Sequence, residues 1–251
     1  NSVRTLVGCG TAAGFAASFN TPLTGVIFAM EVVMMEYTLT SFAPIILAAV
    51  GGSLVTLDLP NLHPGITGVF RHFQVADLPV MTLMGVTLGL LGGAQTRLIG
   101  QLHPGFSRMR ASLRIMLAGC VTGVFAIAYP QIMGLGFSTV NHALAGNYAA
   151  AQSLGIGLVK MVVTFFAIQA ALPGGVILPT IVAGAGLGSA FGAGAASLLS
   201  LSVSSPGLYA LLGIGAMLTA VLQAPLTALV VVLELSDQSN MMLPGMLVTI
   251  A

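Results

Sequence analysis

Charge is what this chain lacks most. Only 5% of its 251 residues are Asp, Glu, Lys or Arg, where a soluble domain carries about 25%. Water is therefore not its main solvent. The net charge of +1 leaves no basic surface for nucleic acid and no acidic face for a basic partner. Tryptophan is absent and cysteine occurs twice. Cys9 and Cys120 each lie within an apolar stretch and read as buried thiols rather than a disulfide. His63, His72, His103 and His142 read as scattered loop residues without metal-ligand spacing, so neither a metal site nor a cofactor is expected. HExxH, GxSxG and an intramembrane Asp pair are all missing, which counts against intramembrane hydrolysis. No secretory signal is visible. The opening NSVRTLVG reads as the start of a helix inside a larger protein.

What is present is apolar: 57% hydrophobic residues with 32 glycines, a composition suited to closely packed membrane helices. Apolar segments run over 5–19, 22–35, 41–57, 78–100, 112–129, 150–172, 176–200, 207–222, 224–235 and 241–251. A straight membrane span needs about 20 residues. Several segments are shorter, or are broken at Asn20-Thr21-Pro22, Pro173-Gly174-Gly175 and Gln223-Ala224-Pro225. Those breaks predict helices that end within the membrane or cross it obliquely, where protein or a watery cavity must cover the loose backbone. The expected fold class is an all-α polytopic membrane protein. Arg108, Arg110 and Arg114, with Arg97 nearby, predict a cytoplasmic loop, and the polar 58–77 loop is expected on the other side.

A 22-residue stretch occurs twice. Gly10–Glu31 (GTAAGFAASFNTPLTGVIFAME) aligns with Gly213–Glu234 (GIGAMLTAVLQAPLTALVVVLE) at a constant offset of 203 residues. Both copies place Pro-Leu-Thr inside an apolar run and a carboxylate at its end. Duplication at such a period marks a transporter built from two related halves, and broken segments at matching places point to the transport site.

The residues of 173–179, PGGVILP, form the strongest local candidate. Gly174 and Gly175 let backbone approach a ligand closely. The helix expected from about Val176 has first-turn amides without intrahelical partners, at the positive end of its dipole. That makes an anion site with no formal charge, which can also release its ion. An ordinary Pro-Gly-Gly turn is the plain alternative. Glu31 and Glu234 could relay protons; the simpler reading is that each caps a helix end or reaches the membrane surface. Glu36 reads as a solvated loop charge beside Tyr37. Lys160 reads as a structural ion pair or a snorkelling side chain, with a contribution to local positive potential as the alternative. Met and Phe residues around Phe28–Met35, with Met241, Met242 and Met246, fit either an adaptable packing surface or lipid contact.

GCGTAAGFAASFNTPLTGVIFAMEV resembles the CLC family of chloride channels and chloride/proton antiporters. Gly134-Leu135-Gly136-Phe137, LPGGVILP, Gly213–Asp237 and Lys160 agree with it in family order. The resemblance covers essentially the whole chain. It implies an inverted-repeat homodimer with one pore per subunit, in a bacterial inner membrane. Residues 1–57 would end the first repeat, 58–77 form a polar loop, and 78–251 form a second repeat lacking its last helix. The amides of Val176 and Ile177 would contact chloride, supported by Gly174, Gly175 and Pro179. Ile177 replaces the family's usual Phe, so pore width can differ and a fluoride-selective exporter is an alternative. The internal proton-relay position is Val32, which cannot carry a proton and leans toward a channel; prokaryote-like compactness leans toward an exchanger. Segments 22–57 and 224–251 would form the dimer interface. The repeat offset places the partner of Gly174 about thirty residues before residue 1. There the family carries a gating glutamate, with a serine anion contact further upstream and a tyrosine contact after residue 251, so the chain is expected to be a piece of a longer protein. A sodium-coupled solute carrier is the rival of a different class. It would need unwound helices lined with Asn, Asp and Ser, whereas this loop offers apolar side chains and backbone amides.

Overall fold

A computed structural model describes residues 2–37, 39–57, 66, 77–199, 205–236 and 238–251. Among these residues there is no strand. In chain order the helices are α1 (Ser2–Phe19), α2 (Pro22–Phe28), which runs on as a π-helical stretch over Ala29–Met34, α3 (Leu39–Leu57), α4 (Leu78–Ser107), α5 (Ala111–Ala128), α6 (Phe137–Leu144), α7 (Ala150–Gln169), α8 (Ile177–Leu199), α9 (Pro206–Leu222), α10 (Pro225–Ser236) and α11 (Met242–Ile250). Four spans are long and apolar enough to cross a membrane: Leu78–Ser107, Ala111–Ala128, Ala150–Gln169 and Ile177–Ser197. Pro22–Met34, Thr40–Thr56, Pro206–Leu222 and Pro225–Ser236 are apolar but shorter. The chain is a multi-pass membrane protein.

The core gathers around α8 and α9. Two-thirds of the α8 span (67%) is buried but only 6% of the α5 span, so α8 is central and α5 peripheral. Glycine sets how closely the central helices meet. A Cβ built on Gly188 would collide with the Tyr209 carbonyl, and one on Gly184 would lie 2.5 Å from the Gly213 carbonyl. This is the small-residue packing that membrane interiors favour, because close backbones gain contact where no hydrophobic force joins helices. Half-buried and buried glutamines add cross-ties. Gln95 Nε2 donates to the Met161 carbonyl at 3.2 Å and Gln169 Nε2 to the Ile99 carbonyl at 3.1 Å, joining α4 to α7.

The two copies of the repeat adopt the same local geometry. Asn20 and Gln223, equivalent at the 203-residue offset, are both left-handed, with φ of 54° and 56°. Each ends one helix, and a proline two residues on begins the next: α1 gives way to α2, and α9 to α10.

Three sequence expectations need correction. The arginine cluster is not a loop: Arg97 lies in α4, Arg114 in the first turn of α5, and only residues 108–110 connect the two helices. Pro104 was compatible with helix because a membrane helix can carry proline inside it, so the polar stretch stayed helical. His103 and His142 are likewise helical, in α4 and α6, while His63 and His72 lie outside the described residues. The cysteines are free but not both buried: Cys9 is half-buried and Cys120 exposed, since α5 turns little of its surface inward. Apart from Ile66 and Asp77, the 58–77 loop also lies outside the described residues.

Candidate anion-binding site

The Pro-Gly-Gly break is built from both sides. Helix α7 ends with Ala171 at φ 53°. The Ala171 amide donates to the Ile168 carbonyl at 2.9 Å and the Leu172 amide to the Ala167 carbonyl at 3.2 Å. This paired arrangement closes the helix and reverses the chain, with alanine standing where glycine is usual. Residues 171–175 are exposed. A Cβ on Gly174 or Gly175 would meet nothing within 4 Å, so both face open space. Helix α8 then begins at Ile177. The Val176 carbonyl accepts from the Thr180 amide at 3.1 Å and the Thr180 hydroxyl at 2.7 Å. Val176 is thus the cap residue, and the amides of Ile177 and Leu178 open the helix with no intrahelical acceptor. Pro179 has no amide to offer.

A cavity of about 340 Å³ lies at this helix start. It is lined by Gly175, Ile177, Leu178 and Pro179, by Gly134 and Leu135 of the turn before α6, by Ser18 and Phe19 at the end of α1, and by Lys160. Gly174 and Val176 are not among its lining residues. Gly134 and Gly136, at φ 70° and 87°, form the turn that brings Leu135 here, a conformation glycine adopts without strain. Lys160 is 7% exposed, and its Nζ donates to the Ile132 carbonyl at 2.7 Å. Its participation, and that of Ser18 and Phe19, is not evident from the local motif. The available signal was the Asn20 break, which stops α1 within the bundle and leaves its last residues facing the interior.

Glu31 and Glu234 stand elsewhere, and each caps the other copy's helix. Glu31 accepts from the Leu226 amide at 3.1 Å, the Thr227 amide at 2.7 Å and the Thr227 hydroxyl at 2.6 Å. Glu234 accepts from the Leu23 amide at 3.0 Å, the Thr24 amide at 2.8 Å and the Thr24 hydroxyl at 2.8 Å. The repeated Pro-Leu-Thr thereby acquires a physical reason. Proline starts the helix, leucine and threonine present its free amides, and the threonine hydroxyl adds a third donor. Ala224 before α10 has no side chain able to cap, so a carboxylate from the other copy does it, at the end where the helix dipole favours negative charge.

These bonds occupy Glu31. Val32 beside it is partly buried against the main apolar core. Glu36 is exposed and pairs with Arg4 at 3.3 Å. The methionines divide: Met30, Met34 and Met241 are core, whereas Met35, Met242 and Met246 are exposed. No group of His, Cys, Asp or Glu among the described residues could hold a metal ion.

The model of the voltage gated chloride channel family matches residues 1–251. The H(+)/Cl(-) exchange transporter ClcA of Cronobacter sakazakii is 32% identical over 96% of this chain and 54% of its own length. A ClcB-like protein of Ralstonia nicotianae is 32% identical over 99% of this chain and 58% of its own length. The chain therefore spans little more than half the length of these relatives. Its fold is similar to that of a slow cyanobacterial Cl-/H+ antiporter, with a TM-score of 0.86 at 19% identity, covering 98% of this chain and 59% of that one.

Proposed function

This chain belongs to the voltage gated chloride channel family, and on that premise we propose that it forms the larger part of a unit that carries chloride across a membrane. The observation that carries the reading is the start of α8: uncharged, glycine-preceded, and open to a cavity lined by Gly175 and Ile177. The Ile177 amide, with Val176 and its flanking glycines shaping the turn, holds the ion by partial charge and releases it readily. The chemistry is transport rather than catalysis, and chloride is cargo, with no cofactor called for. Relatives named as chloride transporters, among them the ClcA protein of Cronobacter sakazakii, favour chloride over fluoride; efflux of the two ions from the same vesicles checks this.

Conduction without proton coupling is the mechanism the residues favour. Val32 cannot hold a proton, Glu31 is committed to three donors, and Glu36 is paired at the surface. Exchange is the second reading, favoured by the relative named as an H(+)/Cl(-) exchange transporter. Liposomes holding the full-length protein separate the two. A chloride gradient should move no protons uphill, and uphill proton movement would establish exchange instead.

The working assembly in this reading is a homodimer in a bacterial inner membrane, with residues 1–57 belonging to one repeat and 78–251 to the other. Segments 22–57 and 224–251 carry exposed Leu23, Leu47, Leu54, Leu226 and Ile250, apolar surface suited to a second copy. Light scattering of the detergent-solubilised protein should give twice the protomer mass; a single protomer mass would end the dimer reading.

A further inference from the structure

We propose that the first turn of α5 seats the phosphate of an anionic phospholipid. Arg110 and Arg114 hold the headgroup, and the acyl chains lie on the apolar outer surface of the helix. The turn is built against its own dipole. Arg110 is the cap residue of α5: its carbonyl accepts from the Leu113 amide at 3.0 Å and the Arg114 amide at 3.2 Å. Arg114 stands one turn further on. No acidic residue occupies this turn, and no side chain caps it. A helix start carries partial positive charge and favours anions, so two arginines there are destabilising unless an anion joins them. Arg108 needs no such account, because it ends α4 and complements the negative end of that helix.

Among the described residues, Arg110 and Arg114 make no side-chain hydrogen bond and no ion pair. Arg114 is half-buried, and its Nε lacks a hydrogen-bond partner. The amides of Ala111 and Ser112 open the helix with no intrahelical acceptor. Helix amides together with arginines are the donor set that suits a phosphate. The surface beyond the turn says what carries that phosphate. Only 6% of the α5 span is buried, and Ile115, Met116, Val124 and Ile127 are all exposed. A free phosphate has no use for this surface. A phospholipid covers it and brings its headgroup to the level of the arginines. Basic sites at the membrane surface recognise anionic headgroups in this way.

The test titrates the full-length protein in detergent with phosphatidylglycerol and counts bound lipid by native mass spectrometry. The parent should retain this lipid and bind phosphatidylcholine, whose headgroup has no net charge, about tenfold more weakly. Arg110→Gln and Arg114→Gln should each weaken phosphatidylglycerol binding about fivefold. Arg97→Gln removes an equal charge from α4, about 15 Å before the turn, and should change binding less than about twofold. Ser112→Asp gives the helix start its own carboxylate. It should weaken lipid binding about fivefold while raising the melting midpoint in lipid-free detergent. That variant decides the matter if the arginine variants fail to fold. Equal affinity for the two lipids, unchanged binding in both arginine variants of the turn, or an equal loss in Arg97→Gln would overturn the proposal. So would unchanged lipid binding in Ser112→Asp. Inorganic phosphate competing as strongly as phosphatidylglycerol would also overturn it, since that marks a site for a free anion.

Discussion

Two carboxylates, Glu31 and Glu234, do the work that neither repeat copy can do for itself. Each satisfies two first-turn amides and a threonine hydroxyl on the other copy. Charge-assisted caps in a half-buried setting are worth more than exposed ion pairs. Glu31→Ala should therefore cost about 2–3 kcal/mol, while Glu36→Ala, which loses only an exposed pair with Arg4, should cost less than about 1 kcal/mol. Thermal denaturation of the full-length protein in detergent checks the order, and equal losses would contradict it. The repeat made both glutamates visible in the sequence. Their partners were not, because each bond joins residues some 200 positions apart, such as Glu234 to Thr24, and only the folded chain brings the copies together.

Helix breaks at Asn20, Gly174 and Gln223 were legible because proline and glycine force them. The helical run through Arg97 to Ser107 was not, since polarity there concealed a helix that needs no apolar face beyond the membrane. The π-helical stretch over Ala29–Met34 left no sequence signal at all. Packing between α8 and α9 belongs to this scale too, and it depends on which glycines face a neighbour. Gly188→Ala drives a methyl group into the Tyr209 carbonyl, backbone that cannot move aside. A destabilisation of about 1–3 kcal/mol is expected. Gly89→Ala in α4 meets nothing within 4 Å and should be neutral or stabilising by up to about 1 kcal/mol. Melting midpoints of the two variants should therefore differ clearly, and matching midpoints would contradict the packing account.

For the molecule as a whole, the sequence disclosed the membrane class, the paired copies and the glycine loop, all of which are local or periodic signals. It disclosed less of how the site is enclosed. Lys160, Ser18 and Leu135 reach one cavity from three separate helices or turns, and no spacing rule links them. The central claim is that the start of α8 holds the anion through a backbone amide. Ile177→Pro removes that amide at the first helical position, where proline is well tolerated; Ile177→Val keeps it. Chloride efflux from liposomes carrying each full-length variant is the most direct measurement. The account predicts at least a tenfold slower efflux for folded Ile177→Pro, from loss of one anion-binding donor, and a rate near the parent's for Ile177→Val. Parental efflux from a folded Ile177→Pro protein would contradict it.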